Sequence, residues 1–196
     1  MSHWPIYFSK NLTLGSENSG YGIATLWTEK ETVLRGLEIK DFCLGGQLYS
    51  KAGINFILRN ILAHPIIKRI ILCGQDKSGS GEALLNLKKN GINAEHEIIG
   101  STNALIHKEI PHEAVELFRK YVDILDLRGE ASPEKIRAHI NEVKVDPTPF
   151  ATAQIFPETE VIKPDYFPGE KIGIRIEAKK VSIAWLKVLQ YLMKFG

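Results

Sequence analysis

The residues best placed to do chemistry lie in Arg69–Glu82, RIILCGQDKSGSGE. Asp76 offers a carboxylate, Gln75 an amide and Ser78 and Ser80 hydroxyls, while Gly74, Gly79 and Gly81 let a ligand approach the backbone closely. One carboxylate in such a loop pairs well with adjacent N–H donors on a planar heterocycle. The competing assignment for Asp76 is a local turn bond or a cap on the following helix. Ser78, Gly79, Ser80 and Gly81 suit a phosphate or carboxylate tail, or form a plain Gly/Ser turn. Glu82 compensates the dipole of the helix it opens. The loop has neither the GxxxxGK[ST] nor the GxGxxG pattern, so nucleotide and dinucleotide binding lack support.

Two further loops carry polar groups in a similar setting. One is Gly45 to Ser50, with Gln47, Tyr49 and Ser50; the other is Gly100 to Ala104, with Ser101, Thr102 and Asn103. Both are candidate sources of hydrogen bonds, and Tyr49 of a stacking ring. The remaining ionisable groups form no recognisable set. His107, His112 and His139 lie on separate elements, no Cys/His group has metal-ligand spacing, and no paired carboxylates or Ser–His or Cys–His set can be placed together. No metal site and no catalytic residue is expected.

The elements that must position these loops can be read from periodicity. Gly22–Trp27, Asp41–Gly45 and Ile66–Cys73 are apolar runs of strand length, and Val122–Leu127 alternates with branched residues. Lys51–Ala63 has Ile54, Ile57, Leu58, Ile61 and Leu62 on one helical face. Further helices are predicted over Ala83–Lys89, ended by Asn90-Gly91, over Pro111–Tyr121, and from Ser132-Pro133-Glu134 onward. Glu29–Leu37 reads as a short helical connection, and Glu97–Ile99 as a strand feeding the third loop. Strands alternating with such helices predict an α/β, Rossmann-like, mostly parallel sheet flanked by helices. In such a sheet the three loops gather at one edge and line one crevice.

This α/β ligand-binding domain is expected to span residues 1–145, opening with a segment that packs or pairs at the sheet's edge. Residues 146–196 form a second part. Pro147, Pro149, Pro157, Pro164 and Pro168 mark a Pro-rich arm, with edge strands expected near Gln154–Phe156 and Gly169–Glu177. Val181–Lys194 then reads as an amphipathic helix, whose apolar stripe implies docking on this domain or on another chain, a homo-oligomer included. In all, 196 residues with a formal net charge of +2 suit one globular domain with an appendage and give no general basic field for nucleic acid. Cys43 and Cys73 close apolar runs and read as buried reduced thiols. With no secretion signal in MSHWPIYFSKN and no membrane-length apolar run, the expected location is cytoplasmic.

The run GGQLYSKAGINFILRNILAHPIIKRIILCGQDKSGSGEALLNLKKNGI, followed by IIGSTNALIHKEIPHEAVELFRKYVDILDLRG, resembles the A subunit of tetrahydromethanopterin S-methyltransferase. It looks closer still to the pterin-binding-like domain that precedes the catalytic domain in archaeal-type thymidylate synthases. The resemblance covers roughly residues 20–145. It implies a reduced pterin, tetrahydrofolate or tetrahydromethanopterin, as the ligand, with Asp76 facing the 2-amino group and the adjacent ring N–H. The cofactor-binding set expected from the three loops is Gly45, Gln47, Ser50, Gly74, Gln75, Asp76, Ser78, Gly79, Gly81, Gly100, Ser101 and Asn103. The terminal AWLKVL, ending in Phe195-Gly196, looks like the opening helix of a thymidylate synthase catalytic domain. The implied partner is therefore such a catalytic domain, fused or separate.

Departures from both families constrain these readings. The methyltransferase subunit carries a corrinoid whose cobalt is held by a histidine in the loop after the "CG" strand. Gly74–Gly81 contains no histidine, and neither His64 nor His96 matches that position. Thymidylate synthases need a cysteine flanked by Pro and by His or Gln, which neither Cys43 nor Cys73 provides. The leading expectation is an accessory pterin-binding domain of one-carbon metabolism serving a thymidylate synthase. The others are a non-catalytic scaffold and a corrinoid-dependent methyltransferase subunit.

Overall fold

The structure is a computed structural model, and it describes residues 4–158. The expected strand at Gly169–Glu177 and the helix at Val181–Lys194 lie outside the described residues. Five strands form one sheet in the order β1-β3-β2-β4-β5. They are β1 (Thr13–Leu14), β2 (Tyr21–Ala24), β3 (Leu44–Gly46), β4 (Arg69–Gly74) and β5 (Asp123–Arg128). Only β1 runs antiparallel, against β3; the other pairs are parallel. The helices are α1 (Lys30–Leu34), α2 (Ile54–Ala63), α3 (Ser80–Asn90), α4 (His112–Tyr121) and α5 (Pro133–Glu142). This is the expected Rossmann-like α/β fold.

The apolar run of β4 follows from its place between β2 and β5. Alternate residues of a strand face opposite sides. Ile70 and Leu72 enter the core formed with α2, α3 and α4, while Ile71 and Cys73 enter the core formed with α1 and α5. A parallel strand covered on both faces has no solvent side to keep polar. β5, at the sheet's edge, has no fully buried residue.

The connection after β2 leads through α1 to β3 on one side, and the connection after β4 leads through α3 to β5 on the other. The chain therefore switches direction between β2 and β4. Gly74 makes the turn at the end of β4. Its φ is +77°, and a β-carbon would meet the backbone oxygen of Thr25.

The third loop is placed differently from expectation. Glu97–Ile99 is not a strand of the sheet: Ile98 and Glu97 make only isolated bridges, to Ile92 and Leu105. Residues 91–110 run from α3 to α4 over the outer surfaces of α2 and α3. Asn86 Nδ2 donates to Gly100 O (2.9 Å), Asn90 Nδ2 to Ile99 O (3.0 Å) and Asn55 Nδ2 to Leu105 O (3.0 Å). The buried Ile98 that suggested a strand is simply the apolar anchor of this excursion.

The described part of the Pro-rich arm returns to α2. Phe150 N donates to Pro65 O and Gln154 N to Leu62 O. Arg59, buried on α2, donates from Nε to Phe156 O (2.7 Å). These bonds go to the end of a helix, and no strand forms at 154–156.

Candidate functional site

At the carboxyl edge the loops are laced by backbone and hydroxyl bonds. Trp27 N donates to Gln75 O (3.1 Å) and Gln75 N to Thr28 Oγ1 (3.1 Å). Gln47 Nε2 donates to Thr28 O (2.9 Å). Gly129 N donates to Gly74 O (2.8 Å). Thr28 thus ties together the loops after β2, β3 and β4. Beside it, Trp27 and Tyr49 stand half exposed with their rings in T-shaped contact at 5.5 Å.

A shallow crevice opens between the ends of β4 and β5, lined by Gln75, Asp76, Asp126, Arg128 and Gly129. Asp76 Oδ2 accepts from Glu82 N at the start of α3 (2.9 Å). Gly81 permits this, since a β-carbon there would lie 2.8 Å from Oδ2. The cap assignment for Asp76 therefore holds for one oxygen. The other, Oδ1, is buried and has no hydrogen-bond partner. A buried acceptor without a donor is costly, and a ligand N–H would satisfy it.

Arg128 stands among three carboxylates. Its Nε and Nη2 grip both oxygens of Asp126 at 2.9 Å, and Nη1 donates to Glu82 Oε2 at 2.7 Å. Asp76 Oδ2 lies 3.6 Å from Nη1. Burial pushes the Asp126 carboxyl up, but the Arg128 side-chain and backbone bonds outweigh it and hold it below the ordinary range. The bond to Asp126, with that to Glu82, raises Arg128 in turn. One cation against three carboxylates leaves the crevice acidic, which favours a ligand that presents donors over an anionic one.

In the Ser78–Gly81 stretch both hydroxyls are engaged within the protein. Ser80 Oγ is buried and donates to Leu48 O (2.7 Å), and Ser78 Oγ lies 3.0 Å from Ser80 Oγ. Ser80 fastens α3 to the loop after β3, and Ser78 bonds in turn to Ser80. Gly79 supplies a left-handed turn, φ +68°, before the helix.

The expected single crevice is divided. Gln75 and Asp76 line the acidic crevice, with Gly74 at its turn. Gln47 and Ser50 line a separate cavity beneath α2, while Gly45 lines neither and faces Leu34 of α1. Gly100, Ser101 and Asn103 line neither; Ser101 Oγ bonds Asn86, and Asn103 makes a left-handed turn at φ +52°. Sequence reasoning missed Asp126, Arg128 and Thr28. The signal for Arg128 was its place at the end of a parallel strand, directly before Gly129.

Neither His64 nor His96 is placed to hold a corrinoid cobalt. His64 ends α2, five residues before β4 begins, and its ring packs on Trp4 at 4.5 Å. His96 lies in the 91–110 excursion against His112, with ring centroids 4.5 Å apart. Neither is in the loop after β4, and no group of three metal-ligating side chains exists among the described residues. The residues present do not fit a histidine-held corrinoid. Cys43 and Cys73 are free and buried, and burial pushes both thiols up to about 12, as expected of inert structural cysteines. No helix among the described residues is long and apolar enough to cross a membrane.

Comparison with known proteins fits this domain. The family of the A subunit of tetrahydromethanopterin S-methyltransferase matches residues 1–161. The chain is 32% identical over 149 residues to the second A-type tetrahydromethanopterin S-methyltransferase subunit of Methanothermobacter thermautotrophicus, covering 72% of this chain and 78% of that one. It is 30% identical over 177 residues to the first such subunit of Methanobrevibacter ruminantium, covering 87% and 70%. The A subunit of a putative methyltransferase, Mtx, of Methanosarcina acetivorans is 26% identical over 154 residues, covering 77% and 66%. These relatives correct the expected partnership with a thymidylate synthase catalytic domain, because they are methyltransferase subunits. That expectation rested on the resemblance of residues 20–145 to the domain preceding the catalytic domain in archaeal-type thymidylate synthases, with the terminal amphipathic pattern as a weaker sign, and the family match over residues 1–161 goes to the methyltransferase subunits instead.

Proposed function

The chain belongs to the family of tetrahydromethanopterin S-methyltransferase A subunits, and from that membership we propose that it is a methyltransferase subunit in one-carbon transfer. Its role is to engage the pterin end of a methyl carrier at the acidic crevice. The observation that carries the reading is the family match over residues 1–161, which takes in the sheet domain described at residues 4–158. The names of its relatives supply the reaction class, the carrier and partnership with other methyltransferase subunits.

The chemistry of the crevice narrows the ligand's orientation. A pterin presents a 2-amino group and an adjacent ring N–H. Asp76 Oδ2 already holds Glu82 N, so Oδ1 takes one of these donors and the carboxylate does not bind both in parallel. Gln75 and the backbone around Gly129 border the same crevice. Arg128 positions the carboxylates and keeps their charges compatible. Trp27 and Tyr49 offer exposed rings at the neighbouring rim. No step is assigned to a histidine-held cobalt.

Calorimetric titration with tetrahydromethanopterin and tetrahydrofolate, with cobalamin in parallel, tests this. Saturable binding of a pterin, lost in Asp76→Asn with the fold retained, is the expected result. Pterin affinity unchanged in Asp76→Asn would remove Asp76 from the site. Binding of cobalamin alone would overturn the pterin reading.

A further inference from the structure

We propose that the cavity beneath α2 is a second ligand site, and that it takes a planar aromatic or heteroaromatic molecule bearing one anionic group. The cavity has a volume of about 460 Å³, within the range of small-molecule sites. It is distinct from the Asp76 crevice and does not depend on the methyl-transfer reading.

Its shape follows from three small residues. Gly22 and Ala24 of β2 face α2, beside Gly46 of β3. Side chains of ordinary size here would fill the space between sheet and helix. With Ile67 over Gly22 and Leu12 over Gly46, the floor of the cavity is apolar. Opposite stand Phe56 and Ile57 of α2, and Phe8 meets Phe56 edge-on at 4.6 Å. The aromatic wall made by Phe8 and Phe56 suits a flat ring.

The cavity is also graded along the strands. Ile67 and Ile70 lie at the amino end of β4, while Lys30, Gln47 and Tyr49 lie at the carboxyl edge. The apolar body of a ligand therefore points inward and its polar group toward the edge. The charged residues of the lining are Lys10, Lys30 and Glu31, two cations against one carboxylate. Lys30 Nζ donates to Asn11 O (2.6 Å) and is 3.9 Å from Glu31, so it is held at the cavity wall.

The segment carrying Phe8 and Lys10 is itself anchored. Buried Asn60 of α2 accepts from Tyr7 N (3.0 Å) and donates to Tyr7 O (3.1 Å), and Trp4 Nε1 donates to Asn60 O (2.7 Å). The wall is thus built by bonds to α2, which makes the cavity preformed.

The test uses the full chain with two dyes of similar shape, anionic 1-anilinonaphthalene-8-sulfonate and neutral N-phenyl-1-naphthylamine. Both should bind saturably at one site, with rising fluorescence. Ala24→Leu should abolish that binding while far-UV circular dichroism is unchanged. Lys30→Gln should weaken the anionic dye about two- to fivefold and leave the neutral dye unaffected. Should Ala24→Leu fail to fold, amide shifts in the labelled wild-type chain decide: those of Gly22, Ala24 and Gly46 should move on titration. Absence of saturable binding, dye binding unchanged in folded Ala24→Leu, or shifts confined elsewhere would overturn the site. Equal weakening of both dyes by Lys30→Gln would overturn its preference for an anion.

Discussion

Asp76 carries two tasks on two oxygens, and substitutions separate them. Asp76→Ala removes the acceptor at the start of α3 and should cost about 1 kcal/mol in chemical denaturation. Asp76→Asn retains a carbonyl oxygen for Glu82 N and should unfold nearly as the parent does, while losing pterin binding. His96 shows a different residue-scale effect. Its burial, then the neighbouring His112 and Lys108, disfavour the charged ring and lower its pKa from the ordinary 6.5. The unfolded chain therefore binds the proton more readily. Stability is fully present above 6.5 and is lost as pH falls through the lowered value. Thermal melts between pH 7 and 5 should show this loss, and His96→Asn should flatten it. Asn also tolerates the φ of +66° at that position. The thiols of Cys43 and Cys73 should resist iodoacetamide at pH 8 in the native chain and react fully in urea.

At the scale of elements, the β4–α3 unit holds the crevice in place. β4 fixes one wall through pairing with β2 and β5, and α3 is fastened by Asp76 below and Ser80 to the side. Gly74 is the joint. Gly74→Ala adds a left-handed strain and a clash with Thr25 backbone, and should destabilise the fold by about 1–3 kcal/mol in urea titration. α2 serves both the core and the cavity. Leu58 on its core face is fully buried, so Leu58→Ala should cost about 2–5 kcal/mol. Phe56 and Ile57, on the cavity side, are only partly buried and should tolerate change better, since less packing is lost.

At the scale of the whole molecule, local pattern and tertiary placement can be told apart. The strands, the helices and their α/β alternation were legible because burial on one or both faces leaves a period in the sequence. The edge loops after β3 and β4 were legible for the same reason: an apolar run stops and a polar glycine stretch begins. The segment at 97–99 misled because one buried Ile98 between polar residues resembles a strand, although no strand pairs with it. Arg128 and Thr28 were missed because the bonds that bring them to the loop after β4 span long stretches of sequence, 46 residues from Arg128 to Glu82 and 47 from Thr28 to Gln75. The sequence by itself determined the fold class and Asp76 as a chemically available group, since both depend on local composition and period. Only the tertiary structure decided that Asp76 keeps one free oxygen in an acidic crevice and that Gln47 belongs to a different cavity. Those outcomes depend on which strand ends meet, and strand order is set by the packing of helices on two faces rather than by any local run of residues.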